Sequence, residues 1–456
     1  METLQIRSSI LNLYNRLVQG VNPQMIADEI RVFNNLPESE KNLIRERKLL
    51  NTLKRAYQEV PYYRNLFDEK NLSFRTEGDL INFQKIPLLT KSIIRENFNI
   101  LKKSSPGRMR WRKDSTSGST GKPLVFLTDN AFYKRKLGLK QYEFETNGRL
   151  HKDTLIVFWG FHRQDEWEFP GIVMHRISNW LRNRIELDVD ILNDRIIAKY
   201  VKIIQNQKSV VIQAYSQAIY KIARYINQSK INIENVKFVI TSASTLFDFM
   251  REEIEAAFNC RVNNRYGSRE FGLLAFQKLD EPDLSVITSE CIIEALNSDG
   301  NHCEPGQEGE VVITSLNNFA FPFIRYKIGD MAIPGEISSH PVLSCLSFKR
   351  ISGRIGDSLV REDGSLISSH FLPRVLRKLF NEDWLEDLQI TQNDYKKITV
   401  DLVLTGKILL DNVKIVQIKA PFYDMLGDDC DIQINIVDHI EKKGSWKYKF
   451  IRTEIS

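Results

Sequence analysis

The sequence predicts an α/β protein with a large N-terminal mixed-sheet α/β domain, a helical N-terminal region, a hinge and a small C-terminal α+β domain. Between Leu124 and Ile324 short β-rich runs alternate with longer helical segments, which is typical of βαβ units around a parallel sheet. From Ser289 the pattern becomes hairpin-like, so we expect a mixed sheet. A Gly-x-x-Gly-Asp stretch at 353–357 then precedes a tail of roughly 100 residues, large enough for a small domain.

Hydrophobic periodicity gives the individual elements. Residues 1–60 have helical spacing until Val60–Pro61 breaks it, and Thr90 caps a helix that runs through Phe98. The predicted strands are 155–159, 210–213, 236–241, 262–265, 291–296, 309–314, 387–391, 397–404 and 431–437, and the other predicted helices are 194–206, 216–228, 247–258 and 371–380. We therefore expect a large domain over 1–356, with 1–100 as its helical accessory region, and a small mobile domain over 357–456.

Bulk properties exclude several classes of protein. The 456 residues are 42% hydrophobic, and the formal charge of +6 is spread in mixed-sign clusters, which gives no support for nucleic-acid binding. The N-terminus lacks the pattern of a secretory signal, and no apolar window reaches the roughly 18 residues of a membrane span. We expect a cytoplasmic protein. Five scattered cysteines without a C-x-x-C pair predict free buried thiols, and a metal site at His302–Cys303 is disfavoured because adjacent strand side chains point apart.

The strongest local signal is a run of small hydroxyl residues and glycines that ends in Lys122–Pro123. Glycines let backbone N–H groups face a polyphosphate, hydroxyls add donors, and the lysine supplies a compact charge. The run is not a Walker P-loop, because Pro123 follows the lysine where Ser or Thr is required. The run favours binding of the polyphosphate of ATP, although a polar surface linker would have the same composition.

Two further motifs follow predicted strands. In Asn264–Gly272 an aromatic ring can stack on a base, a glycine permits close approach, and Glu270 can hold Mg²⁺. In Arg325–Asp330 the aspartate follows a glycine and could accept both ribose hydroxyls. Each could also be an ordinary turn, in which the same side chains are packed or solvated.

In this order and spacing the motifs resemble the adenylate-forming superfamily of acyl-coenzyme A ligases, luciferases and peptide-synthetase adenylation domains. The chain is most similar to the phenylacetate-coenzyme A ligase branch, and within it to the CapK-like relatives found with capsular polysaccharide genes. Local matches are Val60–Arg64, Ile86–Lys91 before an Arg–Glu–Asn–Phe helix, and Phe321–Tyr326. The resemblance covers about residue 55 to the C-terminus.

The resemblance implies a site residue by residue. The phosphate loop falls on Ser117, Gly118, Ser119, Thr120, Gly121 and Lys122; the adenine-binding residues on Ser242, Ala243, Ser244, Tyr266 and Gly267; the magnesium ligand on Glu270; the ribose contacts on Asp330 and Arg354; the hinge on Asp357; and the catalytic lysine on Lys447. Two departures stand out. Trp446 replaces the glycine usual before the catalytic lysine, which leaves Lys443 and Lys449 as alternatives, and Arg269 replaces a small hydroxyl residue before the glutamate.

The implied reaction is ATP-dependent activation of a small-molecule carboxylic acid to an acyl-adenylate with release of pyrophosphate. Lys447, Lys122 and Mg²⁺ on Glu270 would offset the repulsion between carboxylate and α-phosphate. Rotation at Asp357 would then admit a thiol, either coenzyme A or the phosphopantetheine of an acyl-carrier protein, and an amine acceptor stays open. The segment Leu155–His162 lies where relatives form the pocket for the side chain of the acid. Its aromatic residues are equally consistent with an ordinary hydrophobic core, and His162 is interpreted as a hydrogen-bonded polar residue rather than a catalytic base.

Two other classes remain as alternatives. A catalytically degenerate relative would bind nucleotide as a binding or scaffold protein without releasing pyrophosphate, and Trp446 is its support in the sequence. A kinase would give ADP, but no kinase motif set is present.

Overall fold

A computed structural model describes residues 10–11, 13–15, 20–104, 110–116, 123–160, 169–340, 342, 345–354, 359–363, 367, 384–405, 410–440 and 451–455. Within these ranges no helix is both long and apolar enough to cross a membrane. All five cysteines carry free thiols, and only Cys260 is partly exposed.

The N-terminal region is helical, as predicted, but its helices are shorter than the continuous pattern implied. Pro37 separates the first two, and Pro61 begins the third, where its fixed φ suits the first turn. Thr90 caps the fourth by accepting a hydrogen bond from the Ile93 N–H. These helices are α1 (Pro23–Asn34), α2 (Glu38–Glu59), α3 (Pro61–Glu69) and α4 (Lys91–Leu101), with a 3-10 helix at Glu77–Lys85 between the last two.

The centre of the molecule is an eleven-stranded mixed sheet, which confirms the predicted fold class. Its parallel part follows the order β7-β6-β5-β3-β4, and its antiparallel part follows β10-β11-β12-β13-β9-β8-β7. A separate antiparallel pair, β1 (Trp111–Ser115) and β2 (Val125–Asp129), precedes it. The sheet strands are β3 (Thr154–Trp159), β4 (Arg184–Asp188), β5 (Val210–Tyr215), β6 (Val236–Ser242), β7 (Arg261–Ser268), β8 (Gly272–Gln277), β9 (Leu284–Val286), β10 (Cys291–Leu296), β11 (Gly309–Ser315), β12 (Tyr326–Pro334) and β13 (Ser347–Arg354).

Helices cover both faces of the parallel part. The helices described in this region are α5 (Asn130–Thr146), α6 (Phe169–Leu181), α7 (Asp194–Gln205), α8 (Ser216–Gln228) and α9 (Asp248–Phe258). Helices α7, α8 and α9 bury one face through residues such as Ile204, Ile222 and Ile254. Helix α5 packs Phe144 against Leu155 and Val211 on the other face. The buried strands β3, β5 and β6 are largely apolar, which is why their positions were predictable.

The C-terminal region has its own four-stranded sheet in the order β16-β15-β14-β17. Its elements are β14 (Leu385–Asp394), β15 (Lys397–Leu404), α10 (Asn412–Leu426), β16 (Asp431–Ile436) and β17 (Ile451–Thr453). Helix α10 escaped prediction because Pro421 lies inside it and interrupts the helical pattern. The region contacts α8 through a Lys221–Glu386 ion pair at 2.9 Å. The predicted helix at 371–380 lies outside the described residues.

Helix α1 fixes the position of α5 through a close contact at Gly138. A Cβ atom there would lie 2.4 Å from Cβ of Ile26, so only glycine allows the approach. Arg31 and Glu145 add an ion pair at 2.8 Å across the same interface. Since α5 carries charged side chains under the sheet, this contact also positions those charges.

Gly138→Ala should lower the free energy of unfolding by about 1–3 kcal/mol, because α1 must move away from an overpacked contact. Chemical denaturation measures the effect. Gly78→Ala is the control, since its Cβ would meet only Thr76 Oγ1 at an ordinary 3.8 Å. Equal stability changes in the two variants would contradict the close packing.

Candidate active site

The candidate site lies where the carboxyl ends of β5, β6 and β7 meet the antiparallel part of the sheet. Strand β6 ends in Ser242, followed by Ala243 with a positive φ of 72° and by Ser244. The Ser216 hydroxyl donates to the Ser244 carbonyl at 3.0 Å and holds this turn in place. Carboxyl ends of parallel strands are where α/β sheets hold ligands, so the predicted adenine-binding residues occupy a suitable edge.

Three predicted residues from three strands form one connected group. The Tyr266 hydroxyl donates to Oδ2 of Asp330 at 2.7 Å, and Arg354 Nε lies 3.3 Å from Oδ1 of the same carboxylate. Asp330 and Arg354 face each other because they are register partners in β12 and β13. Burial and the Asp330 carboxylate raise the pKa of Tyr266 well above its usual range, so the phenol remains a hydrogen-bond donor.

Glu270 lies beside this group in the turn between β7 and β8. It is only 4% exposed, and the Tyr326 hydroxyl donates to its Oε1 at a long 3.4 Å. The turn requires Gly267, because a Cβ there would lie 2.4 Å from the Gly272 carbonyl oxygen. A buried carboxylate with one long hydrogen bond keeps oxygen lone pairs for a hard cation such as Mg²⁺.

The ends of the predicted phosphate loop reach this turn. Arg269 donates to the Ser115 carbonyl at 2.9 Å and lies 3.6 Å from Asp114, which ties β1 to the residue before Glu270. Thr116 and Leu124 close the neck of the loop with two hydrogen bonds of 2.9 and 3.0 Å. Arg269, which departs from the family pattern, therefore connects two parts of the site.

Two lysines near the site were missed as functional candidates. Lys136 on α5 donates to the Arg269 carbonyl at 2.7 Å, and burial lowers the pKa of Lys136 to about 8. Lys91 starts α4, and a Cβ on Gly329 would lie 3.4 Å from its Nζ. Burial and Arg354 lower the pKa of Lys91, while Asp330 and Glu270 oppose the change. Lys91 stands in a motif that signals family, but nothing in the local sequence singles out Lys136.

Polar atoms without partners also mark the site. Ser244 Oγ and Ser352 Oγ are buried and have no hydrogen-bond partner in the ranges that the structure covers. Their segments adjoin, since a Cβ on Gly353 would lie 3.2 Å from Thr245 Oγ1. Buried hydroxyls without hydrogen bonds destabilise the fold, and a bound polar ligand would supply the missing partners.

Several predicted functional residues lie outside the described residues: Ser117, Gly118, Ser119, Thr120, Gly121, Lys122, Asp357, Lys443, Lys447, Lys449 and the end of the predicted acid-lining segment, Phe161–His162. His302 does lie within them, 3.1 Å from Glu294, while Cys303 packs against Gly309 at the start of β11. No cluster of three or more metal-binding side chains occurs in the described part of the chain.

Solved structures place the whole architecture among adenylate-forming ligases. A 2-hydroxyisobutyryl-CoA ligase in the postadenylation state superposes with a TM-score of 0.69, covering 92% of this chain and 91% of the ligase at 15% identity. An anthranilate CoA ligase in complex with anthranoyl-AMP gives a TM-score of 0.51 over 74% of this chain and 64% of that one, at 14% identity. The chain therefore has the fold of this class of ligases.

Sequence comparison narrows the relationship. Residues 359–454 match the CapK C-terminal domain. Protein CapK of Staphylococcus aureus is 27% identical over 393 residues, which is 85% of this chain and 84% of CapK. The phenylacetate-coenzyme A ligase of Escherichia coli is 24% identical over 330 residues, 70% of this chain and 72% of the ligase. The chain is homologous to CapK and to the phenylacetate-coenzyme A ligases.

Tyr266→Phe should lower the free energy of unfolding by about 1–3 kcal/mol, because the buried Asp330 loses its hydroxyl donor. Tyr57→Phe removes the same group from an exposed tyrosine–aspartate pair, Tyr57 and Asp68 at 3.0 Å, and should change stability by less than about 0.5 kcal/mol. Denaturant titration of both variants measures the difference. A harmless Tyr266→Phe would contradict the connected group.

Proposed function

We propose that this protein activates a carboxylic acid with ATP, forms an acyl-adenylate with release of pyrophosphate, and transfers the acyl group to a thiol. The observation that carries the proposal is the Tyr266–Asp330–Arg354 group, with Glu270 and the neck of the glycine-rich loop beside it. The homologous phenylacetate-coenzyme A ligases support the same class of reaction. Acid–thiol ligase is accordingly the proposed enzyme class.

The nucleotide would lie along the carboxyl edge of the sheet. Ser242, Ala243 and Ser244 would face the adenine, and Tyr266 would lie against it above the tight Gly267 turn. Asp330 is a buried acceptor suited to ribose hydroxyls, and Arg354 beside it supplies a cation for ribose and phosphate. The phosphate tail would pass to Ser117, Gly118, Ser119, Thr120, Gly121 and Lys122.

Charge compensation is the main chemical task of this site. Glu270 would hold Mg²⁺, which when bound would supply positive charge beside the phosphates. Lys91 and Lys136 lie close enough to Glu270 for its carboxylate to favour the charged form of both amines, opposing the lowering of their pKa values by burial. Lys447 would approach the reacting carboxylate from the C-terminal region. Each cation lowers the repulsion between two anionic reactants.

Thiol transfer requires a second arrangement of the chain. We place the hinge at Asp357 and the mobile domain at 357–456, and the family match that begins at 359 supports this boundary. The acceptor would be coenzyme A or a carrier-bound phosphopantetheine. A cytoplasmic place in surface polysaccharide assembly is proposed from the resemblance to CapK.

Lys447→Ala should reduce acid-dependent pyrophosphate release at least about 100-fold, since a preorganised cation stabilises the transition state. Release from Mg-ATP is measured with pooled aliphatic, aromatic and amino acids. Lys443→Ala and Lys449→Ala are matched controls within the same segment and should retain activity. Loss in one of these variants instead would transfer the role to that lysine, and nucleotide binding without any release would favour a binding protein.

Glu270→Gln should raise the Mg²⁺ concentration needed for half-maximal pyrophosphate release about tenfold or more, because an amide is a weaker Mg²⁺ ligand than a carboxylate. Titration of Mg²⁺ at constant ATP gives the value. Glu281→Gln on the exposed surface is the control. An unchanged Mg²⁺ requirement in Glu270→Gln would remove Glu270 from the metal site.

A further inference from the structure

A group of charged side chains lies between α5 and the central sheet and has no part in the nucleotide site. Glu143 on α5 is fully buried and lies 3.1 Å from Arg265 on β7, but the pair lacks hydrogen-bond geometry. Both carboxylate oxygens of Glu143, and Nε and Nη1 of Arg265, are therefore without hydrogen-bond partners in the described structure. Gln213 Oε1 on β5 and Arg184 Nε on β4 are buried and unpaired in the same way. So many unpaired polar atoms indicate a polar internal space.

Positive charge predominates around this space. Glu186 is paired with Arg184 at 2.8 Å, Asp153 with Lys237 at 3.0 Å, and Glu143 with Arg265. Each of these three carboxylates is therefore already paired with another cation. Lys140 and Arg149, which flank the Phe144 ring at 5.8 and 5.3 Å, are left without a carboxylate within ion-pair distance among the described residues. A buried cation without a counterion is expensive, and a bound anion would offset that cost.

Lys140 borders the space directly. Burial and the guanidinium groups of Arg184 and Arg265 hold the pKa of Lys140 well below its usual range. Part of the Lys140 side chain nevertheless stays accessible. The Arg184, Arg265 and Glu143 side chains, which carry the unpaired atoms, all act electrostatically on Lys140, so its amine lies beside this group. An anion beside the ammonium would restore its charged form.

The space adjoins the candidate active site. On α5, Lys140 lies one turn, about 6 Å, beyond Lys136, whose Nζ contacts the Arg269 carbonyl. On β7, Arg265 lies two residues, about 7 Å, before Gly267 on the same face of the sheet. A helix and a strand therefore independently place Lys140 and Arg265 about 6–7 Å deeper than Lys136 and Gly267, which lie beside the candidate site.

We propose that the acid activated by this protein carries a second anionic group, a carboxylate or a phosphate, which Lys140 and Arg265 bind. This substrate class rests on the proposed adenylation function and deepens it. The reacting carboxylate would point to the nucleotide, while the second anion would enter the space under α5. Glu143 holds Arg265 in position, and Arg149 extends the positive field behind Phe144.

The test compares each diacid with its own monoanionic ester. Pyrophosphate release is measured with succinate, glutarate, adipate, their monomethyl esters and 3-phosphonopropionate. The native chain should prefer a diacid or the phosphonate over the matching ester at least about tenfold in kcat/KM. Comparison of kcat/KM for 3-phosphonopropionate with kcat/KM for the diacids shows whether the second anion is a phosphate or a carboxylate.

Variants of Lys140 then assign the preference. Lys140→Met should raise KM for the preferred dianion about 10- to 100-fold and leave KM for the ester unchanged. Lys140→Arg should keep the preference. Lys199→Met, on the exposed surface of α7 over the opposite face of the sheet, is the matched control and should behave as the native chain. Because burial and the neighbouring guanidinium groups disfavour the Lys140 ammonium more than Glu143 favours it, Lys140→Met should fold with an undiminished Tm.

Thermal shifts with the same compounds separate this inference from the proposed function. If monoacids support release and no dianion is preferred, the second-anion inference is wrong while adenylation stands. If no acid supports release but a dianion raises the Tm of the native chain and not of Lys140→Met, the anion site stands and adenylation fails. If dianions neither react nor raise the Tm, the inference is overturned.

Discussion

The candidate site depends on the requirement that the buried carboxylate of Asp330 be paired. Two strands meet this requirement, because Tyr266 from β7 supplies a hydroxyl donor and Arg354 from β13 supplies a cation. Strand β7 belongs to the parallel part of the sheet through β6 and to the antiparallel part through β8. The Tyr266–Asp330 hydrogen bond therefore joins the two halves at the edge where a ligand would bind. The same pairing fixes which side chains line this edge.

Helix α5 connects this edge with the interior. Its position is set by the Gly138–Ile26 contact with α1, so an N-terminal helix far from the site in sequence controls where Lys136 and Lys140 lie. Lys136 neighbours Glu270, while Lys140 belongs to the charged space one turn deeper. One helix thus carries a cation for the proposed phosphate chemistry and another for the proposed second anion. Both amines have lowered pKa values because burial opposes their charge.

Much of the fold followed from local pattern. Strands β3, β5, β6 and β7 and helices α7, α8 and α9 were predicted within a few residues, because most of these strands are apolar and the helices between them are amphipathic. Helix α6 and strand β4 in the same region were not predicted. Helix α10 was not predicted, since Pro421 interrupts its pattern. Of the candidate site, Tyr266, Glu270 and Asp330 were predicted from motifs and Arg354 from the family resemblance. The roles of Lys136 and Arg269 could not be predicted, because their partners are distant in sequence.

The sequence by itself determined the alternation of elements, the change to hairpins after residue 289 and the motif residues, since each depends on short-range spacing or on a residue type. Tertiary structure alone decided that Asp330 faces both Tyr266 and Arg354 through strand register, and that Arg269 ties β1 to the Glu270 turn. It also decided that Lys140 lacks a carboxylate partner within the described residues. Pairing of buried charges is a matter of distance in space, and residues such as Glu143 and Arg265 are brought together only when α5 packs against the sheet.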